Sequence, residues 1–102
     1  MRTLTNLTTH QKAVALEALS EISLCLDSES QWYVSQDVEN AHGGVLTSVT
    51  GRGDSPEDAI EDHWKQVTRP DKGRIVLDAY KSTRRYAEWN GYMWRVEPAK
   101  EP

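Results

Sequence analysis

Apolar side chains recur along this chain with two different spacings, and each spacing predicts a different kind of element. Over residues 9–26 they recur every three or four positions, which predicts an amphipathic helix. Thr8, followed three positions later by Gln11, is typical of a capping box that starts such a helix. Leu16 and Leu24 lie off the apolar stripe, which indicates that the helix is covered on more than one side. Either a partner chain or a wide sheet supplies that cover, or the helix is an ordinary well-buried one. The stripe itself comprises Ala15, Leu19, Ile22 and Leu26.

A second helix is predicted over residues 56–68, directly after a strand and a short glycine-containing turn. Ser55 is suited to cap this helix, and Pro56 occupies the first helical position, where its missing N–H costs nothing. Trp64 lies on the apolar stripe, so we expect it to be buried between the helix and a sheet. The stripe comprises Ala59, Ile60, His63, Trp64 and Val67.

Shorter segments with alternating or β-branched apolar residues predict strands. These lie near residues 31–38, 45–51, 74–80, 84–89 and 92–97. A helix is the alternative over 74–80, and a β-bulge is expected near Gln36. The predicted order is therefore α-β-β-α-β-β-β. Hairpin-linked strands favour an α+β fold, in which an antiparallel sheet of about five strands has two helices packed on one face. We expect a single domain over residues 1–102, with 1–7 and 98–102 as loose ends.

The last predicted element is a hairpin built around Asn90-Gly91, which lies between two aromatic-rich segments. This dipeptide favours a two-residue turn, because both of its residues tolerate positive φ. The register would then place Trp89 opposite Tyr92 and Glu88 opposite Met93. The core face of the hairpin would comprise Trp89, Tyr92, Trp94 and Val96.

Composition limits both the core and the compartment. Hydrophobic residues make up 37% of the chain, so the core must rely on large side chains, among them four Trp and four Tyr. No apolar segment approaches the roughly 20 residues that cross a bilayer, and the N-terminal residues lack the apolar stretch of a signal peptide. A single cysteine, Cys25, is typical of a reducing compartment. We therefore expect a cytoplasmic protein with no membrane partner.

The charges are unevenly distributed, although the net charge is only −4. Residues 1–62 carry three basic and eleven acidic side chains, and residues 63–102 carry nine and five. The two halves either form a bipolar surface or interleave in one sheet, where the asymmetry would vanish. No spacing of His, Cys and Asp fits a zinc site, and no nucleophile or phosphate-loop motif occurs. We therefore expect no catalytic residue, no metal and no cofactor, and we interpret His63 as a partly buried helix residue.

Residues 49–56, Val-Thr-Gly-Arg-Gly-Asp-Ser-Pro, look like the integrin-binding loop of a fibronectin type III domain. Because Gly51 and Gly53 permit unusual backbone angles and a helix follows, we interpret this segment as a structural turn. Residues 49–60 resemble the strand–turn–helix joint of HicB-type antitoxins and of double-stranded-RNA-binding domains. The second family has three strands before its second helix, where two are predicted here, and its helix start is basic, where this one is acidic.

Three functions are compatible with these patterns. The first is a small non-enzymatic effector that binds another protein, similar in style to bacteriophage accessory proteins that inhibit a host enzyme or defence system, in which case it acts in the host cytoplasm. The alternative is an antitoxin-like or regulatory module that dimerises through its sheet. A nucleic-acid binder is the third, and the net charge of −4 weighs against it. Its contacts would be Lys81, Arg84, Arg85 and Arg95.

Two surfaces are the main candidates for binding a protein partner, and the first predicted helix is a third. The first is the acidic face of the second helix, which would imitate a phosphate array or remain an ordinary solvated face. It comprises Glu57, Asp58, Glu61 and Asp62. The alternative is the aromatic hairpin, since aromatic residues often dominate binding energy. Its residues are Tyr86, Trp89, Tyr92 and Arg95.

Overall fold

The computed structural model describes residues 7–42, 45–68, 75–77, 85–90 and 93–98. Within them, two helices and six strands follow one another along the chain. In order they are α1 (Thr9–Glu17), β1 (Ile22–Leu26), β2 (Trp32–His42), β3 (Val45–Gly53), α2 (Pro56–Val67), β4 (Ile75–Leu77), β5 (Arg85–Trp89) and β6 (Trp94–Pro98). The strands form one antiparallel sheet, so the predicted α+β class is confirmed, with one strand more than expected. The basic residues Lys81 and Arg84 lie outside the described residues, and of the predicted loose ends Leu7 packs against the core and Pro98 belongs to β6.

The long strand β2 organises the sheet because it pairs with three other strands. β3 pairs with β2 over residues 32–35 and again over 39–42. β1 pairs with residues 32–36, and β4 pairs with 38–40. A strand has only two edges, so β1 and β4 follow each other along one edge while β3 occupies the other. The register with β3 shifts between Ser35 and Glu39, an irregularity at the place where the sequence predicts a β-bulge.

The predicted first helix is too long. α1 ends at Glu17, and residues 22–26 form β1, which the sequence patterns did not reveal. Ile22 and Leu26 suit a helix because they are four positions apart, but with Leu24 they equally suit a strand. The half-buried Gln36 of β2 favours the strand, because its Nε2 donates to the carbonyl oxygens of Leu16 and Ser20 at 2.6 and 2.8 Å. Those carbonyls lie at the end of α1, and the bonds satisfy them there.

The polar segment after Leu26 is the turn of the β1–β2 hairpin. The Asp27 N–H donates to the carbonyl of Gln31, and the Ser30 N–H donates to the carbonyl of Asp27. Ser30 has a φ of 62°, in the left-handed region that completes such a three-residue loop. The Asp27 carboxylate accepts from the N–H groups of Glu29 and Gln31, both at 2.9 Å.

The predicted joint between β3 and α2 is confirmed. The Ser55 hydroxyl accepts from the Asp58 N–H at 3.1 Å, and Pro56 opens the helix. Neither Gly51 nor Gly53 has its φ in the left-handed region, so backbone conformation does not require a glycine at either position. The close packing of α2 against β3 does. A Cβ at Gly51 would collide with the Ala59 carbonyl, and one at Gly53 would collide with Asp58. The expectation of unusual backbone angles is therefore wrong, and the close approach of α2 to β3 is the reason for both glycines.

The core lies between the sheet and the two helices, and Trp64 is buried there as predicted, with 9% of its surface exposed. Its ring meets those of Trp89 and Trp94 edge-on, at centroid distances of 4.8 and 5.9 Å, while those two rings are 5.2 Å apart. We call these three residues the tryptophan cluster. The indole Nε1 of Trp94 donates to the Ala15 carbonyl at 2.7 Å, which attaches the hairpin to α1.

The β5–β6 hairpin forms, but its predicted register is wrong by two residues. Trp89 pairs with Trp94, and Glu88 pairs with Arg95. The Asn90 N–H donates to the Met93 carbonyl, and its side-chain oxygen accepts from the Met93 N–H at 3.0 Å, so the hairpin closes between Asn90 and Met93 and not between Trp89 and Tyr92. A shift of two residues preserves the face of each side chain, because side chains alternate with a period of two.

Candidate functional site

The four predicted acidic residues of α2 divide into two pairs. Glu57 and Asp58 are both exposed. Glu61 accepts from the Thr9 hydroxyl at 2.7 Å and from Lys12 Nζ at 2.5 Å, so it joins α2 to α1. These bonds hold the pKa of Glu61 below its ordinary value, the lysine bond having the larger effect. Two of the four carboxylates are therefore free to meet a partner.

Asp62 binds a backbone group at the outer edge of β3. Its Oδ2 accepts from the backbone N–H of Arg52 at 3.0 Å and from Gln66 Nε2 at 3.0 Å. The same Gln66 nitrogen donates to the Thr50 carbonyl at 2.9 Å. Two α2 side chains thus bind the outward-facing backbone groups of β3, so Asp62 is a structural residue of the β3–α2 unit.

The aromatic hairpin does not present its predicted residues on one surface. Trp89 lies on the face that the helices cover, in the tryptophan cluster. Tyr86 and Arg95 lie on the opposite face of the sheet, where Tyr86 pairs with Glu97 and Arg95 pairs with Glu88. Tyr92 lies outside the described residues. The predicted set is therefore split by the sheet.

The Arg-Gly-Asp segment is occupied by contacts within the chain. Arg52 Cζ lies 5.7 Å from the centre of the Tyr33 ring, and Arg52 Nη1 lies 3.8 Å from Asp27 Oδ2. Asp54 accepts a long 3.4 Å hydrogen bond from Gln31. The segment also supplies the close approach to α2 described above, which supports its interpretation as a structural turn.

His63 belongs to a polar network inside the core. It is fully buried, and its Nε2 lies 2.8 Å from the Gln36 oxygen. The Gln36 nitrogen donates both hydrogens to the end of α1, so its oxygen accepts and Nε2 carries the proton of a neutral ring. Burial lowers the pKa of His63 to about 4, although the Asp62 carboxylate opposes this shift. A fully buried neutral imidazole cannot reach a substrate, so its role is structural.

A site that the sequence patterns did not identify lies between the C-terminal end of α1 and the β5–β6 hairpin. It is an open apolar groove of about 390 Å³. Met93 is 62% exposed and Val96 is 41% exposed, so much of the apolar surface remains in water. Small alanines on α1 leave the space that the indole rings do not fill. The lining residues, none of them titratable, are Ala15, Ala18, Leu19, Trp89, Met93, Trp94 and Val96.

Electrostatically, the helix end beside the groove is negative. The last turn of α1 carries no basic residue, and its carbonyl groups give that end the negative pole of the helix dipole. Glu17, the last residue of α1, is exposed. The separate pieces of this site were visible in the sequence, since Ala15 and Ala18 have helical spacing. Their juxtaposition with the hairpin depends on the tertiary structure.

Among the described residues, no three His, Cys, Asp or Glu side chains are grouped so that they could hold a metal ion. Nor does any helix in this part of the chain have the length and apolarity to cross a membrane. Comparison with protein-family models, with curated proteins and with solved structures finds no match.

Proposed function

We propose that this protein acts by stoichiometric binding of another protein, whose apolar side chains enter the groove between α1 and the β5–β6 hairpin. The observation that carries this proposal is the exposure of Met93 and Val96 beside the tryptophan cluster. A contiguous apolar concavity on a small domain is typical of an interaction site. The groove holds no acid, base or nucleophile, which favours binding over turnover.

The lining and the charge of the groove indicate which side chains the partner segment carries. Its anchor is a large apolar side chain, because the groove is lined by apolar residues and its volume of about 390 Å³ lies in the range of sites that bind drug-sized ligands, roughly 300–1,000 Å³. A lysine or arginine lies beside the anchor, since the exposed Glu17 and the negative end of α1 attract a cation. A phage-encoded inhibitor of a host protein is one form of this function, and a cytoplasmic partner is consistent with the single free Cys25.

A nucleic-acid function has one observation in its favour. The structure has three strands between its helices, as double-stranded-RNA-binding domains do. The difference in strand number that the sequence predicted between this chain and that family is therefore absent. The first turn of α2 nevertheless carries Glu57 and Asp58, and carboxylates there repel the phosphates that such a helix start would meet. We therefore prefer the protein partner.

The groove can be tested with one disruptive variant and one matched control. Met93→Lys places a charge in the groove, at a side chain that is 62% exposed. Val14→Lys places the same charge outside the groove, at an apolar side chain of α1 that is 56% exposed. Immobilised wild type and variants are incubated with lysate, and the captured proteins are identified by mass spectrometry. We expect a partner that binds wild type and Val14→Lys but not Met93→Lys.

The acidic face needs a separate variant. Reversal of Glu61 and Asp62 would break bonds that hold α2 in place, so only Glu57→Lys with Asp58→Lys tests that face without damaging the fold. Loss of the partner in this double variant, with binding retained in Met93→Lys, would refute the groove and favour the acidic helix. If neither the immobilised wild type nor any variant captures a partner, the proposal of stoichiometric binding is refuted.

A further inference from the structure

One side of the groove, which we call the α1 wall, is formed by Ala15, Ala18 and Leu19. The wall is only partly helical, because α1 ends at Glu17 and the two residues after it lie in the turn that leads to β1. In this turn the Leu19 N–H donates to the Leu16 carbonyl at 3.0 Å. Carbonyl groups at a helix end need donors from outside the helix. The position of the wall therefore depends on side chains that reach it from other elements.

Gln36 reaches this turn from β2. Its Nε2 donates one hydrogen to the Leu16 carbonyl at 2.6 Å and the other to the Ser20 carbonyl at 2.8 Å. A primary amide has only these two donors, so both are used. The two carbonyls flank Ala18 and Leu19 in the chain. A single side chain thus holds the segment of the α1 wall that lies beyond the helix.

The oxygen of the same amide is held by α2. It lies 2.8 Å from Nε2 of His63, which is fully buried. Because the amide nitrogen donates to carbonyls, the oxygen must face the imidazole and accept a hydrogen bond there. The side chain of Gln36 is therefore fixed at both ends, and it cannot turn over without losing all three bonds. It connects the α1 wall to the helix with the larger buried face.

The hairpin side of the groove is joined to the α1 wall by a different bond. Trp94 of β6 lines the groove, and its indole Nε1 donates to the Ala15 carbonyl at 2.7 Å. That bond sets the separation of the two sides at Ala15, within the helix. Further along, at Ala18 and Leu19, the bonds to Gln36 set the position of the wall. The width of the groove thus depends on one bond across it and on one side chain behind it.

We propose that Gln36 is the positioning residue of the groove, an inference that rests on the function proposed above. Gln36 does not line the groove. It acts by keeping Ala18 and Leu19 at the distance from the hairpin at which the groove encloses an apolar anchor. Loss of the amide releases the two carbonyls, which then need water as their donor. A turn without this support samples several positions, so the groove has its binding shape for only a fraction of the time.

Binding of a neutral apolar dye to the full chain measures this effect. Nile red, whose fluorescence rises in apolar surroundings, is titrated into the wild type, Met93→Lys and Val14→Lys. We expect the wild type and Val14→Lys to bind it and Met93→Lys not to, which assigns the signal to the groove. Gln36→Met keeps a side chain of similar length without the amide. Its dissociation constant for the dye should rise roughly tenfold, which corresponds to a groove with its binding shape about one-tenth of the time.

Gln66, the half-buried glutamine of α2, provides a matched control. Its Nε2 also donates twice, to the Thr50 carbonyl at 2.9 Å and to Asp62 at 3.0 Å, but it supports β3 and not the groove. Gln66→Met should lower the unfolding free energy in urea denaturation, because it too removes a doubly donating amide. Its affinity for the dye should nevertheless equal that of the wild type.

A measurement on the wild type tests the same bonds without a variant. Both side-chain amide protons of Gln36 are hydrogen-bonded, whereas Gln11 is exposed. Nuclear magnetic resonance should therefore show that the Gln36 protons exchange with water at least roughly tenfold more slowly than those of Gln11. If Gln36→Met does not fold, Gln36→Asn takes its place in the dye titration. It keeps an amide on a side chain too short to reach both carbonyls, and the same loss of affinity is expected.

The results separate this inference from the proposed function. Failure of the wild type to bind the dye, or equal binding by Met93→Lys, would refute the groove as a binding site and the role of Gln36 with it. Wild-type affinity in the Gln36 variant, or an equal loss of affinity in Gln66→Met, would leave the groove in place and overturn that role. Exchange of the Gln36 amide protons as fast as those of Gln11 would also overturn it.

Discussion

The two helices lie on the same face of the sheet but are packed in different ways. α2 buries five of its twelve residues and binds the edge of β3 through its own side chains. α1 buries one of its nine residues, Leu16, and leaves Val14 exposed and an apolar groove beside it. The β3–α2 unit therefore supplies stability, whereas the α1 side retains apolar surface that a partner can use. Four predictions test this contrast, from the largest expected effect to the smallest.

Trp64→Ala should cost on the order of 3–5 kcal/mol of unfolding free energy, because it removes the central ring of the tryptophan cluster and leaves a cavity under α2. Urea denaturation followed by circular dichroism measures the loss. Such a change is a large share of the stability of a small domain. An unfolding midpoint equal to that of the wild type would show that α2 is not the stable part of the helical layer.

Acidification should destabilise the protein through His63. The unfolded chain binds a proton there near pH 6.5, whereas the folded chain resists protonation until about pH 4. Protonation thus favours unfolding as the pH falls through this window, and the cost reaches about 3 kcal/mol at its lower end. Urea denaturation at several pH values measures the slope.

His63→Gln should remove this slope, while His10→Gln, at an exposed position of α1, should retain it. Glu61 contributes separately and at lower pH, because its lowered pKa means that its stabilising bonds are lost only below the ordinary range of a glutamate. A slope between pH 6.5 and 4 that survives in His63→Gln would contradict the assignment to the buried imidazole.

Removal of the two helix caps should have unequal consequences. Ser55→Ala should lower the global stability by about 1 kcal/mol, the usual effect of losing an N-cap hydroxyl. Thr8→Ala removes a capping box of the same kind, but the residues nearest to it in α1 are not buried and can fray without exposing the core residue Leu16. We expect its effect to be mainly faster hydrogen exchange within α1. Equal losses of global stability would indicate that the two helices unfold together.

The smallest effects are expected at the groove. Met93→Lys and Val14→Lys should each change the stability by no more than about 0.5 kcal/mol, because both side chains are largely exposed. Thermal denaturation of the purified variants measures this. A much larger loss in Met93→Lys would mean that the groove is part of the core and not a site kept open for a partner.

The sequence by itself determined the features that depend on near neighbours. Thr8 with Gln11 and Ser55 with Pro56 specify helix starts, because a cap bonds to an amide only three positions away. The burial of Trp64 followed from its place on a helical stripe. The core-facing positions of Trp89 and Trp94 followed from the alternation of a strand, which survives an error of two residues in the register.

Only the tertiary structure decided the features that depend on distant residues. Whether residues 22–26 are helix or strand is ambiguous in their spacing, and β2 resolves it by pairing with them and by placing Gln36 at the end of α1. Glu61 and Asp62 look like surface charges until Lys12 and Arg52 approach them. The groove likewise exists only once remote segments are packed together, because local propensity carries no information about what lies across the sheet.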